Sequence, residues 1–234
     1  MKGFFLIIIF SWSCLQSFPF QPGEKLIYSA GFRLFSAGEA TLELTMDTLS
    51  KDTVIKIHSE TNTNSFFDRL YRIRDRVTVW MDPINFELLK VDKKVSEGRY
   101  RRKHKAIVNW LDSTIVTSKK VKKIQAPVFD PIGVVYLLRE KLQQINELEE
   151  LLVYDLGIIR KVLFKVTDRE KIRVPYGLFE CLVVEPVSRD KNPLLKNKGQ
   201  IKVWYSDDLF RLPVRIEQVT NVGTMVMELK SVNH

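Results

Sequence analysis

The chain has 234 residues, of which 45% are hydrophobic and 28% charged, and its formal net charge is +9. That balance excludes a disordered chain and a multi-span membrane protein, and the length suffices for one large β-rich domain with a sizeable core. The positive excess points to anionic partners such as lipid or polysaccharide.

Lys2 followed by the apolar run Phe4 to Phe10, and then by small and polar residues, reads as a secretory signal peptide. The run is too short to span a bilayer, which takes roughly 20 apolar residues. The expected organisation is a leader over 1–20 and a single domain over 21–234. Cleavage after Ser17 would give a soluble exported protein, periplasmic or associated with the outer membrane. Cleavage before Cys14 would leave a lipid anchor, but the bulky Trp12 in the flank SWSC argues for the first route. Nucleic acid is not an expected partner of an exported chain.

After the leader the sequence turns to period two. KLIYSAGFRLF reads as a strand, Ser36 to Gly38 as a tight turn with Gly38 at positive φ, and Gly38 to Asp47 as a half-buried strand with Ala40, Leu42, Leu44 and Met46 on one face. Further strands are expected at Thr53 to Glu60, Tyr71 to Trp80, Glu87 to Ser96, Arg99 to Trp110 and Ser113 to Lys119, with turns at MDPIN and LDS. Two basic clusters, Gly98 to Lys105 and Lys119 to Lys123, read as the solvated faces of neighbouring strands.

FDPIGVVYLLREKLQQI breaks the alternation. Asp130 is a candidate N-cap, Pro131 suits the first helical position, and Val134, Val135, Leu138, Leu142 and Ile145 recur at helical spacing. INELEE reads as its fraying end or a connecting loop. Strands resume with RKVLFKVTDREKIRVPYGLFECLVVEPVS, where TDRE and PYG signal turns. A Lys, Asn and Pro rich loop spans Arg189 to Gly199, and three strands around SDD and TNVG end the chain. About a dozen strands, one helix and no βαβ alternation imply an all-β, mostly antiparallel domain, a large curved sheet or barrel-like form wrapped partly around the helix.

Chemistry is sparse. His58, His104 and His234 are the three histidines, and no pair has metal-ligand spacing. Nucleophile elbows, P-loops and dinucleotide fingerprints are missing, so neither a cofactor nor a metal is expected. With Cys14 removed or acylated, Cys181 is a single thiol beside carboxylates, which reads as buried and unreactive. Asp207 and Asp208 invite an acid–base reading, but glycosidases need carboxyls roughly 5 to 10 Å apart across a substrate. Neighbours on a strand face opposite ways, so a turn in which SDD bonds its own backbone is the cheaper reading. Arg215 and Glu217 read as a surface ion pair. Ser65 to Asp82 mixes aromatics with arginines: Phe66, Phe67 and Tyr71 would line a cavity mouth, and Arg69, Arg72, Arg74 or Arg76 would reach an anionic headgroup.

GEKLIYSAGFRLFSAGEATLEL, FFDRLYRIRDRVTVWMD, DPIGVVYLLR, VPYGLFECLVVEP and KVWYSDDLFRLPVRIE resemble, in order and spacing, the bacterial exported family DUF3108, over about Gly23 to Leu229. The resemblance implies an exported β-rich protein; the family has no established enzymatic activity, so the resemblance transfers location and architecture better than function. A curved sheet clasping a helix is also similar to the lipoprotein-carrier architecture of the bacterial envelope, at the level of fold alone. Together these readings lead to a non-enzymatic envelope protein holding an apolar or amphipathic, lipid-like ligand in its curved sheet, with an anionic membrane surface as second partner. The residues expected at the ligand are Phe66, Phe67, Arg69, Tyr71, Trp204, Asp207, Asp208 and Arg211. The alternatives are an interaction module with a filled interior, or a glycan-processing enzyme using Asp207 or Asp208 with Arg211.

Overall fold

The computed structural model describes residues 19–32, 35–141, 144–187, 200–220 and 223–233. The leader up to residue 18, both cleavage points, and the expected loop at 189–199 lie outside them. Strands β1 (Lys25–Phe32), β2 (Phe35–Leu49) and β3 (Asp52–Thr63) precede helix α1 (Ser65–Tyr71). There follow β4 (Arg74–Met81), β5 (Leu88–Glu97), β6 (Tyr100–Asn109), β7 (Thr114–Thr117), β8 (Val121–Lys123) and helix α2 (Pro131–Lys141). The second half holds β9 (Leu148–Asp155), β10 (Ile158–Val174), β11 (Gly177–Val187), β12 (Gln200–Ser206), β13 (Pro213–Thr220) and β14 (Gly223–Asn233).

Among the described residues all fourteen strands belong to one antiparallel sheet, in the order β8-β7-β6-β5-β4-β3-β2-β1-β14-β13-β12-β11-β10-β9. Every neighbour in that order is also a neighbour in sequence except one: β1 pairs with β14, Lys25 facing Asn233 and Phe32 facing Met225. The sheet is thus two meanders joined through the first and last strands. The connection from β8 to β9 contains α2.

That connection also closes the curve. Leu88 of β5 donates to the Val128 carbonyl at 2.9 Å, while Phe129 exchanges bonds of 2.9 and 2.8 Å with Leu152 and Tyr154 of β9. Side chains reinforce this seam: Arg102 donates to the Leu156 carbonyl at 2.8 Å, His104 Nε2 lies 2.9 Å from the Tyr154 hydroxyl, and Lys93 Nζ lies 2.7 Å from both Asp130 and Asp155. Burial, then the nearby Arg102 and Lys93, lower the His104 pKa and keep its ring neutral. Beyond the seam β7 and β8 extend the sheet. The outermost strand, β8, is three exposed residues with two lysines, a composition that discourages edge-to-edge pairing.

The core lies inside the curl. Leu42, Leu44, Ile57, Val79, Met81, Leu88, Val91, Val183 and Val214 come from strands on both sides of β1 and are all buried in one cluster with Val134, Tyr136 and Leu137 of α2. Period-two alternation produces this inner face directly.

Several expectations need correcting. The single expected helix is accompanied by a second, α1, capped by Asn64, whose side chain accepts from the Phe66 and Phe67 amides. The strand expected from Tyr71 therefore begins at Arg74. Gly38 is not a turn residue: it lies within β2 opposite Thr63, and a Cβ there would collide with the Asn62 carbonyl and the Thr63 Cα. TDRE does not break the chain; β10 runs through it with a bulge between Val166 and Asp168. The acidic stretch after α2 is not a loop throughout, because Leu148 to Glu150 already pair in β9. Ile145 is 47% exposed outside the helix, and Met46, expected inside, is 41% exposed near the end of β2.

Candidate functional site

Helix α2 is apolar on almost every side, which suits a helix enclosed by a sheet rather than one lying on it. Asp130 caps it, accepting from the Ile132 amide at 2.9 Å, and is itself fully buried against Lys93. Burial alone would lower the Lys93 pKa, but the carboxylates of Asp130 and Asp155 override it and raise it. Gly133 allows close packing here: a Cβ would lie 2.5 Å from Met81 Sδ, so the methionine side chain would have to shift. At the far end, Arg139 and Glu24 form a buried bidentate pair of 2.6 and 2.9 Å. Arg139 also donates to the carbonyls of Phe210 and Pro19, each at 2.8 Å, and sits over the rings of Phe20 and Tyr136. Two ion clusters thus pin the helix at both ends.

Between them the helix stands off one part of the sheet. A half-open cavity of about 180 Å³ separates α2 from β9 to β12. Val134, Val135 and Leu138 form one wall and Val162, Phe164 and Val203 the other. Tyr205, whose hydroxyl donates to the Val135 carbonyl at 3.1 Å, fixes the spacing between them. Asp155 and Arg160 are the charged lining residues. Asp155 is held by Lys93. Arg160 is only partly exposed and makes no ion pair or hydrogen bond with any described residue. Among the described residues the site offers an apolar slot with a guanidinium free of ion pairs, a combination suited to binding an amphiphile. Among the described residues no group of side chains is arranged to hold a metal ion.

The residues expected at the ligand lie elsewhere and form two separate groups. Phe66, Phe67, Arg69 and Tyr71 are on α1; Phe67 is buried, whereas Phe66 and Tyr71 are 64% and 51% exposed. Asp207, Asp208 and Arg211 form the turn between β12 and β13. Phe35 beside α1 faces Phe32, which faces Met225, which faces Gln218, which faces Ile201 at the start of β12. The turn lies beyond the opposite end of that strand, so the two groups occupy opposite ends of the sheet. Trp204 is buried, donating to Glu170 at 3.0 Å with Arg215 over its ring, and does not line the cavity that its neighbour Tyr205 reaches.

SDD is a turn. Asp208 Oδ1 accepts from the Phe210 and Arg211 amides at 2.9 and 3.1 Å and from the Ser206 hydroxyl at 2.9 Å, while Ser206 Oγ accepts from the Leu212 amide at 2.8 Å. Arg211 has φ +47, the left-handed conformation that closes the loop. Asp207 is clamped between Arg169 at 2.9 Å and Arg211 at 3.0 Å. Both carboxylates are committed to structure, and no cleft separates them. Cys181 is buried, and its thiol is pushed up to about 12 by burial and then by the carboxylates of Asp208 and Glu180.

The residues that sequence reasoning passed over each break a pattern. Arg160 stands in phase with Val162, Phe164 and Val166, a charge on the inward side of a strand. Arg139 interrupts an apolar helix, and a buried charge demands a partner. That the partner is Glu24 depends on tertiary structure alone. Arg139 draws together three of the stretches quoted above, through Glu24, its own helix and the Phe210 carbonyl.

A family model described as a protein of unknown function, DUF3108, matches residues 27–230. No curated protein matches the chain. Among solved structures, a β-barrel-like protein of the domain of unknown function DUF1849 from Brucella abortus aligns with TM-score 0.56 and 10% identity, covering 90% of this chain and 96% of that one. It shows the barrel-like fold. A hypothetical protein of Chlamydia trachomatis aligns with TM-score 0.38 and 12% identity over 92% of this chain and 88% of its own. A candidate exported protein with a YmcC-like fold from Bacteroides fragilis aligns with TM-score 0.33 and 10% identity over 93% and 98%.

Proposed function

Since the chain belongs to the DUF3108 family, whose description assigns no activity, we propose that it is an exported envelope protein that carries or senses an amphipathic anion rather than an enzyme. The ligand's apolar end enters the cavity between α2 and β9 to β12, and its anionic head meets Arg160. Export rests on the leader-like first residues; no helix among the described residues is long and apolar enough to cross a membrane.

The observation that carries the reading is an apolar cavity lined by a guanidinium that no described residue pairs with. Its volume of about 180 Å³ limits what it takes. An engineered apolar cavity of roughly 150 Å³ holds one benzene, so the enclosed part of the ligand is one short aliphatic segment or ring, with the remainder leaving through the open side. A multi-chain lipid does not fit inside. A single-chain carboxylate does, and a carboxylate is what a planar guanidinium pairs with best.

Calorimetric titration with octanoate and with octanol tests this. The protein should bind octanoate more tightly by roughly tenfold, the ~1.5 kcal/mol of a charge-assisted hydrogen bond. Arg160→Gln should remove that preference and leave octanol binding unchanged. Val162→Phe, filling the slot, should abolish both. Absence of binding by either compound to the intact protein would rule the reading out and leave an interaction module with a filled interior.

A further inference from the structure

We propose a second interaction surface: the end of the barrel that carries α1 docks onto an anionic lipid bilayer. This surface is independent of what the cavity holds.

The α1 helix contributes one buried side chain, Phe67, to the molecule. Yet it is held firmly. The Asn64 amide donates to the Ala37 carbonyl at 2.8 Å and its side chain to the Ser36 carbonyl at 3.0 Å. Asp68 is bound by Thr63 and Arg74. On the other side Gly98 packs so closely on Tyr71 that a Cβ would reach its ring at 2.5 Å, and the Gly98 amide donates to the Arg72 carbonyl at 2.8 Å. A rigidly braced helix that covers almost nothing presents its outer face for some other purpose.

That face continues across neighbouring segments of the same end. Phe35 is 64% exposed, Phe66 64%, Leu70 70%, Tyr71 51%, Tyr100 47% and Ile158 44%. They come from the start of β2, from α1, from the β5–β6 turn and from the β9–β10 turn. The last two are tied together by Arg102, which donates to the Leu156 carbonyl and lies 3.5 Å from the Tyr100 hydroxyl. Arg69, Arg72, Arg99 and Arg101 are exposed among them. The acids nearby are already engaged: Asp68 by Arg74, Glu60 by Arg76 and Asp155 by Lys93. Asp75 accepts from the Ser96 amide, and Glu97 shares the site of Asp75 in a setting that favours its protonated form. The rim is therefore aromatic and basic with little opposing charge.

Size and shape select the partner. Aromatic side chains bury about 150–250 Å² each, so at these exposures the six groups offer roughly 500–850 Å², no more than about the 800 Å² per partner of a small protein interface. They come from one short helix and three neighbouring strand ends. Protruding aromatics that reach the headgroup level, ringed by arginines worth ~1 kcal/mol each at an anionic surface, match a bilayer. The cavity has Arg160 and Asp155 near this same end, close to the β9–β10 turn.

The test is cosedimentation of the chain from residue 19 onward with vesicles of phosphatidylcholine alone or mixed with phosphatidylglycerol. Pelleting is expected only with the anionic vesicles and should disappear at high salt. Arg69→Gln with Arg72→Gln should weaken it roughly tenfold or more. Phe66→Ser with Leu70→Ser should abolish it while lowering the melting temperature only slightly, since both side chains are mostly exposed and Phe66 loses only its edge contact with Phe67. Retained binding by the serine variant would overturn the proposal. So would failure of the intact protein to pellet. Dimerisation of the intact protein that the serine pair relieves, without any pelleting, would overturn it and assign the face to a second copy of the chain.

Discussion

Glu97 lies beside Asp75 on the neighbouring strand β4. Burial, then the neighbouring carboxylate of Asp75, push its pKa from an ordinary 4.5 up to about 7. Between those values the native carboxyl keeps a proton that the unfolded chain has released. Stability from this group is therefore complete below about 4.5 and is lost as the pH rises through about 7. Glu97→Gln, which mimics the protonated acid, should flatten the fall in melting temperature across that window. A wild-type minus variant difference independent of pH would show that the carboxyl is already ionised. Asp208 was legible from sequence because its partners are its own neighbours: a carboxylate two and three residues ahead of free amides makes a turn wherever the chain reverses. Glu97 was not, because its environment comes from β4.

At the scale of elements, alternation located most strands and a capping aspartate followed by proline located the start of α2. Helix α1 was missed because seven residues are too few for periodicity to show, although Asn64 before Ser65 is a cap signal. TDRE was misread because four polar residues look the same in a turn and in a bulge on an exposed stretch. The docking of α2 rests on Arg139 and Glu24, which are fully or almost fully buried. Breaking such a pair leaves an uncompensated charge, so Arg139→Met or Glu24→Gln should each cost about 3–5 kcal/mol. Combining Arg139→Met with Glu24→Met should recover part of that loss in urea unfolding. Strict additivity of the two would mean that the charges do not act as a pair.

For the molecule as a whole, the seam between β5–β6 and β9 decides whether the sheet is an open ribbon or a closed wall. Antiparallel pairing and a curved or barrel-like sheet were evident from sequence, but the residues that close it were not: closure depends on Val128 and Phe129, two residues in no regular strand, and on a lysine at an inward position of β5. Lys93→Met leaves Asp130 buried without its cation and should destabilise by about 3–5 kcal/mol at neutral pH. The deficit should shrink in acid as that carboxyl takes a proton. Hydrogen exchange should quicken first at the amides of Phe129 and Tyr154, which the seam protects. Uniform acceleration throughout the sheet would show instead that closure and the β1–β14 junction open together.

The pairing of β1 with β14 sets a timetable. A chain that emerges from its N-terminus forms the β1–β2 hairpin early, yet the other edge of β1 stays bare until nearly every other strand has appeared. The contacts at the middle of the finished sheet are thus the last to become available. Such long-range closure is slow, and a waiting strand edge attracts other chains. Early folding intermediates would need that edge shielded, and a chain cut short before β14 would expose it permanently, an open template at the centre of the fold.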